Sequence, residues 1–478
     1  MKNKIKQHWG VVIYLFFYFF ITSYKFINYA TPFYDWDEGI YAQVGREMIN
    51  KLSLTPLWQE QVWLDKPPLI PLFYGLIGKL PFTPELSMRF ATLGLTLLVL
   101  GLIYVFYYRI TKNKSIAFLT IVFTSFIPLF LQRSQVLNVD VFLLLGWMGY
   151  VVFFPRFWWS LFFLAVGVLS KSLLGFYPAI MLLGYQIWRK LFVKDKEAAI
   201  KIKSIIIQIL IISAWYLVMI VLYQQSFIQA HFLESHLKRV TASIESHFGQ
   251  RTYYFDELFN QLGILKWLLP LGIISIFIDF WKNRKIKNIL YLLFFVPWFL
   301  FLNLTKTKIV WYLYVIIPQF AFISAYFLNL FRKYKIINTI IVLIITGLII
   351  NNAIVNEKFF TTQYSQPEKH YQLAIYAKNQ CNRLGFLVPD NTRSTYSTLN
   401  NMNLVIQTTR WWGDHPSIVY YFGKKVDFIY DLTELKDYLN NISTDNCIAF
   451  YNNDVKLIST KEKLNLLKNF EDIQLYQK

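Results

Sequence analysis

Apolar runs of about 15 to 23 residues recur along most of this chain, and no other feature limits its fold as strongly. A run of that length matches the hydrocarbon thickness of a bilayer. Lipid offers backbone amides no hydrogen-bond partner, so each run must close its own bonds as a helix. Composition agrees: 16% of residues are charged, against about 25% in soluble domains. The expected fold class is an all-α polytopic membrane protein with a C-terminal soluble α/β domain. Eleven spans are expected, at 9–26, 86–108, 116–131, 139–154, 157–169, 173–188, 205–223, 262–280, 289–304, 310–330 and 336–350. "FFPRFWW" between the fourth and fifth reads as a tight turn or a re-entrant bend. The first run is long enough to stay as a span and lacks a small-residue cleavage site, so no cleavable signal peptide is expected.

Charge sets the orientation. Lys2, Lys4 and Lys6, then Arg109, Lys112 and Lys114, then the Arg189–Lys203 group, Lys282–Lys287 and Arg332–Lys335 all fall on one side if there are eleven spans. The positive-inside rule makes that side cytoplasmic. Loops 27–85 and 224–261 and the C-terminal region then lie outside. Cations bunched in short loops explain the net charge of +20 better than a nucleic-acid face does, and no nucleic acid is expected as a partner.

Residues 1–351 are expected to form the membrane domain and 352–478 the soluble one. "LGFLVPD", "NLVIQTT", "KVDFIYD" and "CIAFYNN" read as strands, with helices "KHYQLAIYAKNQC" and "LTELKDYLN" between them. Cys381 and Cys447 leave two readings open, a disulfide or two buried thiols.

Three acids, Asp35, Asp37 and Glu38, follow the first span. Such acids suit a helix N-terminus, where they meet the positive end of the dipole. The wider pattern adds more. "DEGIYAQVGREM", "LTP", "WLDKPPL" and "RFATL" are followed by "QRSQVLNVD" (132–140), "LSKSLLGFYP" (169–178), "AWY" (214–216), "HLKRVTASIESHFGQRTYYF" (236–255) and "TKTKIVWYLYVIIPQFA" (305–321). In this order the segments resemble the protein-mannosyltransferase-like and aminoarabinose-transferase-like membrane glycosyltransferases of the GT-C class. The resemblance implies a polyprenyl-phosphate-linked sugar as donor and a glycan, lipid or protein acceptor. It implies Asp37 as base and Asp140 as a second carboxylate. It also implies substrate contacts from Glu38, Tyr41, Lys66, Arg133, Lys171, Arg251, Lys306, Lys308 and Tyr312. Where aminoarabinose-transferase-like members commonly carry Arg, this chain has Ile40, which argues against that particular specificity.

The chemistry stands independently. Moving a sugar onto a hydroxyl needs a carboxylate within reach of the acceptor proton and positive charge against the departing phosphate. Lys66 is stiffened by Pro67 and Pro68. Lys306 and Lys308 stand on the outer side, against the charge rule. No cofactor is required, although Asp65 with His247 offers ligands for a divalent ion. His231 and His236, five apart, fall on different faces of an α-helix, which disfavours a two-histidine zinc site. "TTRWWGDHPSIVYYFGKKV" (408–426) reads as packing rather than sugar contact.

A transporter or flippase for lipid-linked or small anionic substrates is the alternative. It predicts ionisable residues near the bilayer midplane and repeat symmetry; instead the acids gather in outer loops and no repeat is visible. A scaffold would leave the ordered acids and cations unexplained. The expected location is the cytoplasmic membrane of a bacterium, serving its cell envelope or protein O-glycosylation, with the catalytic loops outside.

Overall fold

A computed structural model describes residues 8–28, 32–283, 294–331, 333–355, 369–457 and 464–478. The chain divides into two compact units. One comprises Met1–Asn28, Arg89–Gln224 and Gly249–Thr362; the other comprises Tyr29–Met88, Gln225–Phe248 and Gln363–Lys478. Most of both outer loops therefore folds in the same unit as the C-terminal domain, whereas a division at residue 351 leaves them with the membrane part.

The first unit is helical. Five stretches among the described residues are long and apolar enough to cross a bilayer: Pro84–Thr111, Phe157–Phe192, Lys196–Thr241, Val310–Phe331 and Lys335–Ala353. A sixth is the pair Tyr253–Trp267 and Leu269–Lys282, bent by 71°. Trp9–Tyr24, Lys114–Phe126 and Asp140–Phe153 are shorter apolar helices. This is a protein of the membrane, and among the described residues several of the expected runs are interrupted or shortened. The run 116–131 is interrupted at Ile127, where Pro128 starts a new short helix. The run 262–280 breaks at Gly263, at φ 51°. The run 139–154 yields fourteen helical residues, Asp140–Phe153, about 21 Å at 1.5 Å per residue. Residues 289–293 of the ninth expected span, with Lys2, Lys4, Lys6, Arg284, Lys285, Lys287 and Arg332, lie outside the described residues.

The stretch Phe157–Phe192 is broken at Ser172 and is not one continuous rod. "FFPRFWW" is the tight turn between helices Asp140–Phe153 and Phe157–Lys171. At Ser172 the backbone leaves the helix, with φ 55°, before helix Tyr177–Phe192 begins. Glycine permits both crossings. A Cβ on Gly146 would lie 2.5 Å from the Gly167 nitrogen, and one on Gly175 would lie 2.2 Å from the Val168 nitrogen. Small residues allow membrane helices this approach, because packing and not water drives their association. Trp147 stacks on Tyr177 at 4.5 Å and donates to the Leu174 carbonyl at 3.0 Å, which locks the break in place. Thr120 and Thr124 donate to the carbonyls of Ile116 and Thr120, four residues back, so neither hydroxyl is left without a bond in the apolar interior.

The second unit contains the hairpin β1 (Leu57–Trp58) and β2 (Gln61–Val62), and a five-stranded sheet. Its strands are β3 (Arg383–Leu387), β4 (Lys425–Ile429), β5 (Asn446–Tyr451), β6 (Asn465–Phe470) and β7 (Ile473–Gln477), in the order β4-β3-β5-β7-β6. The first three are parallel, and β7 and β6 return antiparallel. Helix Leu432–Asn440 crosses from β4 to β5 and buries Leu435 and Leu439 against Leu387, Ile429, Ile448 and Phe450. Three of the four expected strands form. "NLVIQTT" does not: it runs as a loop into a 3-10 turn, Gln407–Trp412. Its β-branched pattern is overruled by side-chain partners given below. Cys381 and Cys447 form a disulfide joining the end of helix Lys369–Gln380 to β5.

Two outcomes are expected. Gly146→Ala forces a methyl group into the Gly167 backbone and costs about 1–3 kcal/mol. Gly184→Ala, with open space around its Cβ, is neutral or gains up to about 1 kcal/mol; melting temperatures in detergent compare the two. Cys381→Ser opens a loop of 66 residues and lowers the stability of the C-terminal domain by about 4 kcal/mol, seen as earlier loss of its structure in urea.

Candidate functional site

In the second unit the acids sit at the start of helix Trp36–Asn50. Asp35 is the N-cap and accepts from the Asp37 amide at 3.0 Å. Glu38 completes a capping box, its Oε2 accepting from the Tyr34 amide at 3.2 Å and the Asp35 amide at 3.4 Å. Glu38 is fully buried. Glu38 Oε2 thus serves the helix start. Asp37 stands in the first turn, half-exposed, where the helix dipole favours its charge. Tyr41 is buried one turn on, its ring 6.2 Å from Trp63. Helix Leu69–Ile77 crosses Trp36–Asn50 at a glycine pair, where a Cβ on Gly45 would lie 2.4 Å from the Pro71 carbonyl oxygen.

Lys66 ends the segment after the β1–β2 hairpin and is half-buried. Around it the backbone is pinned. His231 Nδ1 donates to the Leu64 carbonyl at 2.9 Å. The Thr408 hydroxyl donates to Asp65 Oδ2 at 2.6 Å. His231 belongs to Ile228–Lys238, which winds as a π-helix. There the repeat is close to five residues, so His236 falls on the same side as His231, ring centroids 5.2 Å apart. This corrects the expectation of two separate faces, which assumed an α-helix.

Burial raises the Asp65 carboxyl above its usual range, with Thr408 and the charges of Lys66 and Arg239 pulling the other way. Burial lowers His247, against Glu245, which raises it. Among the described residues no group of three His, Cys, Asp or Glu side chains gathers as a metal centre requires. The pair Asp65 and His247 therefore finds no third ligand.

The turn Gln407–Trp412 packs as expected. Its Gln407 amide donates to Glu234 at 2.8 Å, Thr409 donates to Glu245 at 3.1 Å, and Trp412 lies edge-on to Trp58 and Trp63 at 4.9 and 5.8 Å. These partners explain why "NLVIQTT" is no strand. A cavity of about 510 Å³ opens between residues 229–241 and 396–407. Its polar groups serve one another: Gln229 bonds Glu234, and Lys238 bonds Asn403 and the Val405 carbonyl.

The membrane unit holds a separate charged cluster. Asp140 opens helix Asp140–Phe153, Arg133 closes Pro128–Arg133, and Lys171 closes Phe157–Lys171. Each sign suits its helix end. Asn138 holds the intervening loop, donating to the carbonyls of Arg133 at 2.6 Å and Val136 at 2.8 Å while accepting from the Val141 amide at 3.0 Å. Asp140, 1% exposed, receives Lys171 Nζ on Oδ1 at 2.5 Å and Arg133 on Oδ2 at 3.3 Å. The Lys171 ammonium also lies 4.9 Å from the Tyr312 ring, and the Arg133 guanidinium 5.5 Å from Trp311. Two cations share this one carboxylate.

The remaining expected cations differ. Lys308 is buried, and its ammonium donates to the carbonyls of Leu302 at 3.2 Å and Asn303 at 3.0 Å at the end of helix Val296–Leu304. It also lies over the Tyr254 ring at 4.9 Å. Lys308 thus caps the C-terminal end of that helix; burial and neighbouring Lys306 lower its pKa. Lys306 and Arg251 are exposed. Sequence reasoning quoted the segments that hold Asn138 and Thr408 but assigned neither residue a role; only their partners in space reveal it.

Asp140→Ala leaves Arg133 and Lys171 buried beside one another, and a loss of roughly 3–5 kcal/mol follows. The double variant Asp140→Ala, Lys171→Met removes that repulsion and is expected to melt above the single variant in detergent.

No family model matches the chain. An uncharacterized protein of Aquifex aeolicus (strain VF5) is 26% identical over 330 residues, 66% of this chain and 63% of that relative. The match thus spans less than two thirds of the relative's length. ArnT from Cupriavidus metallidurans bound to undecaprenyl phosphate has a TM-score of 0.70 at 13% identity, with 99% of this chain and 98% of that chain covered. The same protein in the apo state gives 0.69 at 12% identity. The chain has an ArnT-like GT-C fold, with a small sheet domain at its C-terminus.

Proposed function

We propose that this protein is a membrane glycosyltransferase that moves a sugar from a polyprenyl-phosphate donor to an acceptor hydroxyl at the outer face of the cytoplasmic membrane. The observation that carries this reading is the likeness, along almost the whole chain, to ArnT bound to undecaprenyl phosphate. The acids and cations singled out by sequence support it by falling on helix ends and pinned turns, where side chains are held for chemistry. Placement of the catalytic loops outside the cell is supported by the loop charges and by the Cys381–Cys447 disulfide.

In the proposed reaction the acceptor oxygen attacks the anomeric carbon while Asp37 takes its proton. The bond from that carbon to the phosphate oxygen breaks, and the polyprenyl phosphate leaves with the electron pair. One displacement inverts the anomeric centre. The phosphate gains a negative charge as it leaves, so cations placed against it stabilise the transition state more than the ground state. Lys66 takes this role. The two cations of the Arg133–Asp140–Lys171 cluster suit an anionic group as well. Asp140, with both oxygens held by cations, fixes those cations in place and is not the base. Arg251, Lys306 and Tyr312 are assigned to substrate contact.

The test is deletion of the gene, followed by mass spectrometry of surface glycans, lipids and glycoproteins to find the mass increment that disappears. The wild-type gene restores it; Asp37→Asn does not, though it is made in equal amount. Lys66→Ala is expected to weaken binding of undecaprenyl phosphate to the purified protein by roughly 10–100-fold, the worth of one charge-assisted hydrogen bond. A fully active Asp37→Asn variant removes Asp37 as base, and an unchanged affinity removes Lys66 from the phosphate.

A further inference from the structure

One segment of the C-terminal domain, Gly413–Phe422, is built against the turn that carries Asp37. His415 is buried and uses both ring nitrogens. Nε2 donates to the Tyr34 carbonyl at 3.1 Å, and Nδ1 accepts from the Ser417 hydroxyl at 2.6 Å and the Ser417 amide at 3.3 Å. These partners select one tautomer, with the proton on Nε2. The same ring meets the Trp36 indole edge-on, centroids 5.6 Å apart, and stacks on His370 at 5.8 Å.

Other residues of the segment seat the same turn. A Cβ on Gly39 would lie 2.7 Å from the Ser417 nitrogen, so the first turn of helix Trp36–Asn50 rests directly on the Ser417 backbone. The Tyr421 hydroxyl accepts from the Phe33 amide at 2.7 Å and donates to Glu85 at 2.8 Å. Residues 33, 34, 36 and 39 are thus held from one side by residues 415, 417 and 421. Asp37 lies in the middle of that stretch. The capping box sets where the helix begins; the Tyr34 carbonyl, one residue before the cap, sets the direction from which the chain arrives.

We infer that His415 is a positioning residue for Asp37: by holding the Tyr34 carbonyl and bracing Trp36, it fixes the orientation of the Asp37 carboxylate. The inference rests on the proposed role of Asp37 as base. It gives the C-terminal domain a part in the reaction without contact to the reacting atoms. An error of about 1 Å in such a group costs of order 100-fold in rate.

The test complements the deletion strain with His415→Phe, which keeps a ring but has no nitrogen, and His415→Gln, whose amide restores a donor for the Tyr34 carbonyl. Product is read by mass spectrometry, and binding of undecaprenyl phosphate is measured on each purified full-length variant. His415→Phe is expected to lose roughly 100-fold in product formation with unchanged lipid affinity, and His415→Gln to recover most of it. Wild-type activity in His415→Phe, equal loss in both variants, or parallel loss of lipid affinity overturns the inference. If His415→Phe does not survive extraction, Ser417→Ala decides. It removes the Ser417 hydroxyl from Nδ1, leaving only the longer amide bond, and is expected to lower activity by up to about tenfold at unchanged lipid affinity; full activity overturns the inference. Asp37→Asn runs alongside. An active Asp37→Asn variant defeats the reading of Asp37 as base and the inference with it, whereas an inactive one beside a fully active His415→Phe defeats the inference alone.

Discussion

A single buried carboxylate organises the membrane unit. Asp140 has almost no contact with solvent, and the two cations that neutralise it stand at the ends of two other helices. In a low-dielectric interior none of the three charges is tolerable alone, so the three helix ends are obliged to meet. The loop between Arg133 and Asp140 closes around Asn138, and the helix breaks just beyond Lys171. The pair Asp140–Phe153 and Phe157–Lys171 brings Asp140 and Lys171 to the same end, and the Gly146–Gly167 crossing holds the two helices close.

The second unit uses a different device. Its connections run between polar side chains and backbone groups of distant segments: His231 to Leu64, Thr408 to Asp65, Glu234 to Gln407, and His415 to Tyr34. Each such bond is modest in net worth, while leaving a buried group without one is expensive. Such a network therefore specifies one arrangement more than it stabilises any. That suits a region in which a half-exposed acid and a half-buried lysine have to keep fixed directions.

Much of this was legible in the sequence, for reasons that can be stated. Apolar runs mark spans because hydrocarbon leaves the backbone no choice but helix. The acids at 35–38 announced a helix start, and Asp35 and Glu38 form that cap. The strands at 383–387, 425–429 and 446–451 carried their own apolar pattern. What stayed hidden depended on partners distant in the chain. "NLVIQTT" has the composition of a strand, yet Asp65, Glu234 and Glu245 claim its two hydroxyls and the Gln407 amide. Lys308 looked like a ligand for an anion because its position opposes the charge rule; the carbonyls of Leu302 and Asn303 answer that charge. The break at Ser172 showed only as a short interval between two apolar runs, with Pro178 opening the helix beyond it.

The π-helical winding of Ile228–Lys238 makes residue count itself a structural variable. A π turn holds one residue more than an α turn over the same rise. Unless the winding relaxed with it, losing a single residue between His231 and His236 would swing everything beyond the gap around the axis by roughly a quarter of a turn. Lys238, which reaches Asn403 and Val405, and Arg239, paired with Glu245, would then face away from their partners. Among related chains, substitutions should accumulate in this stretch far more readily than changes in its length.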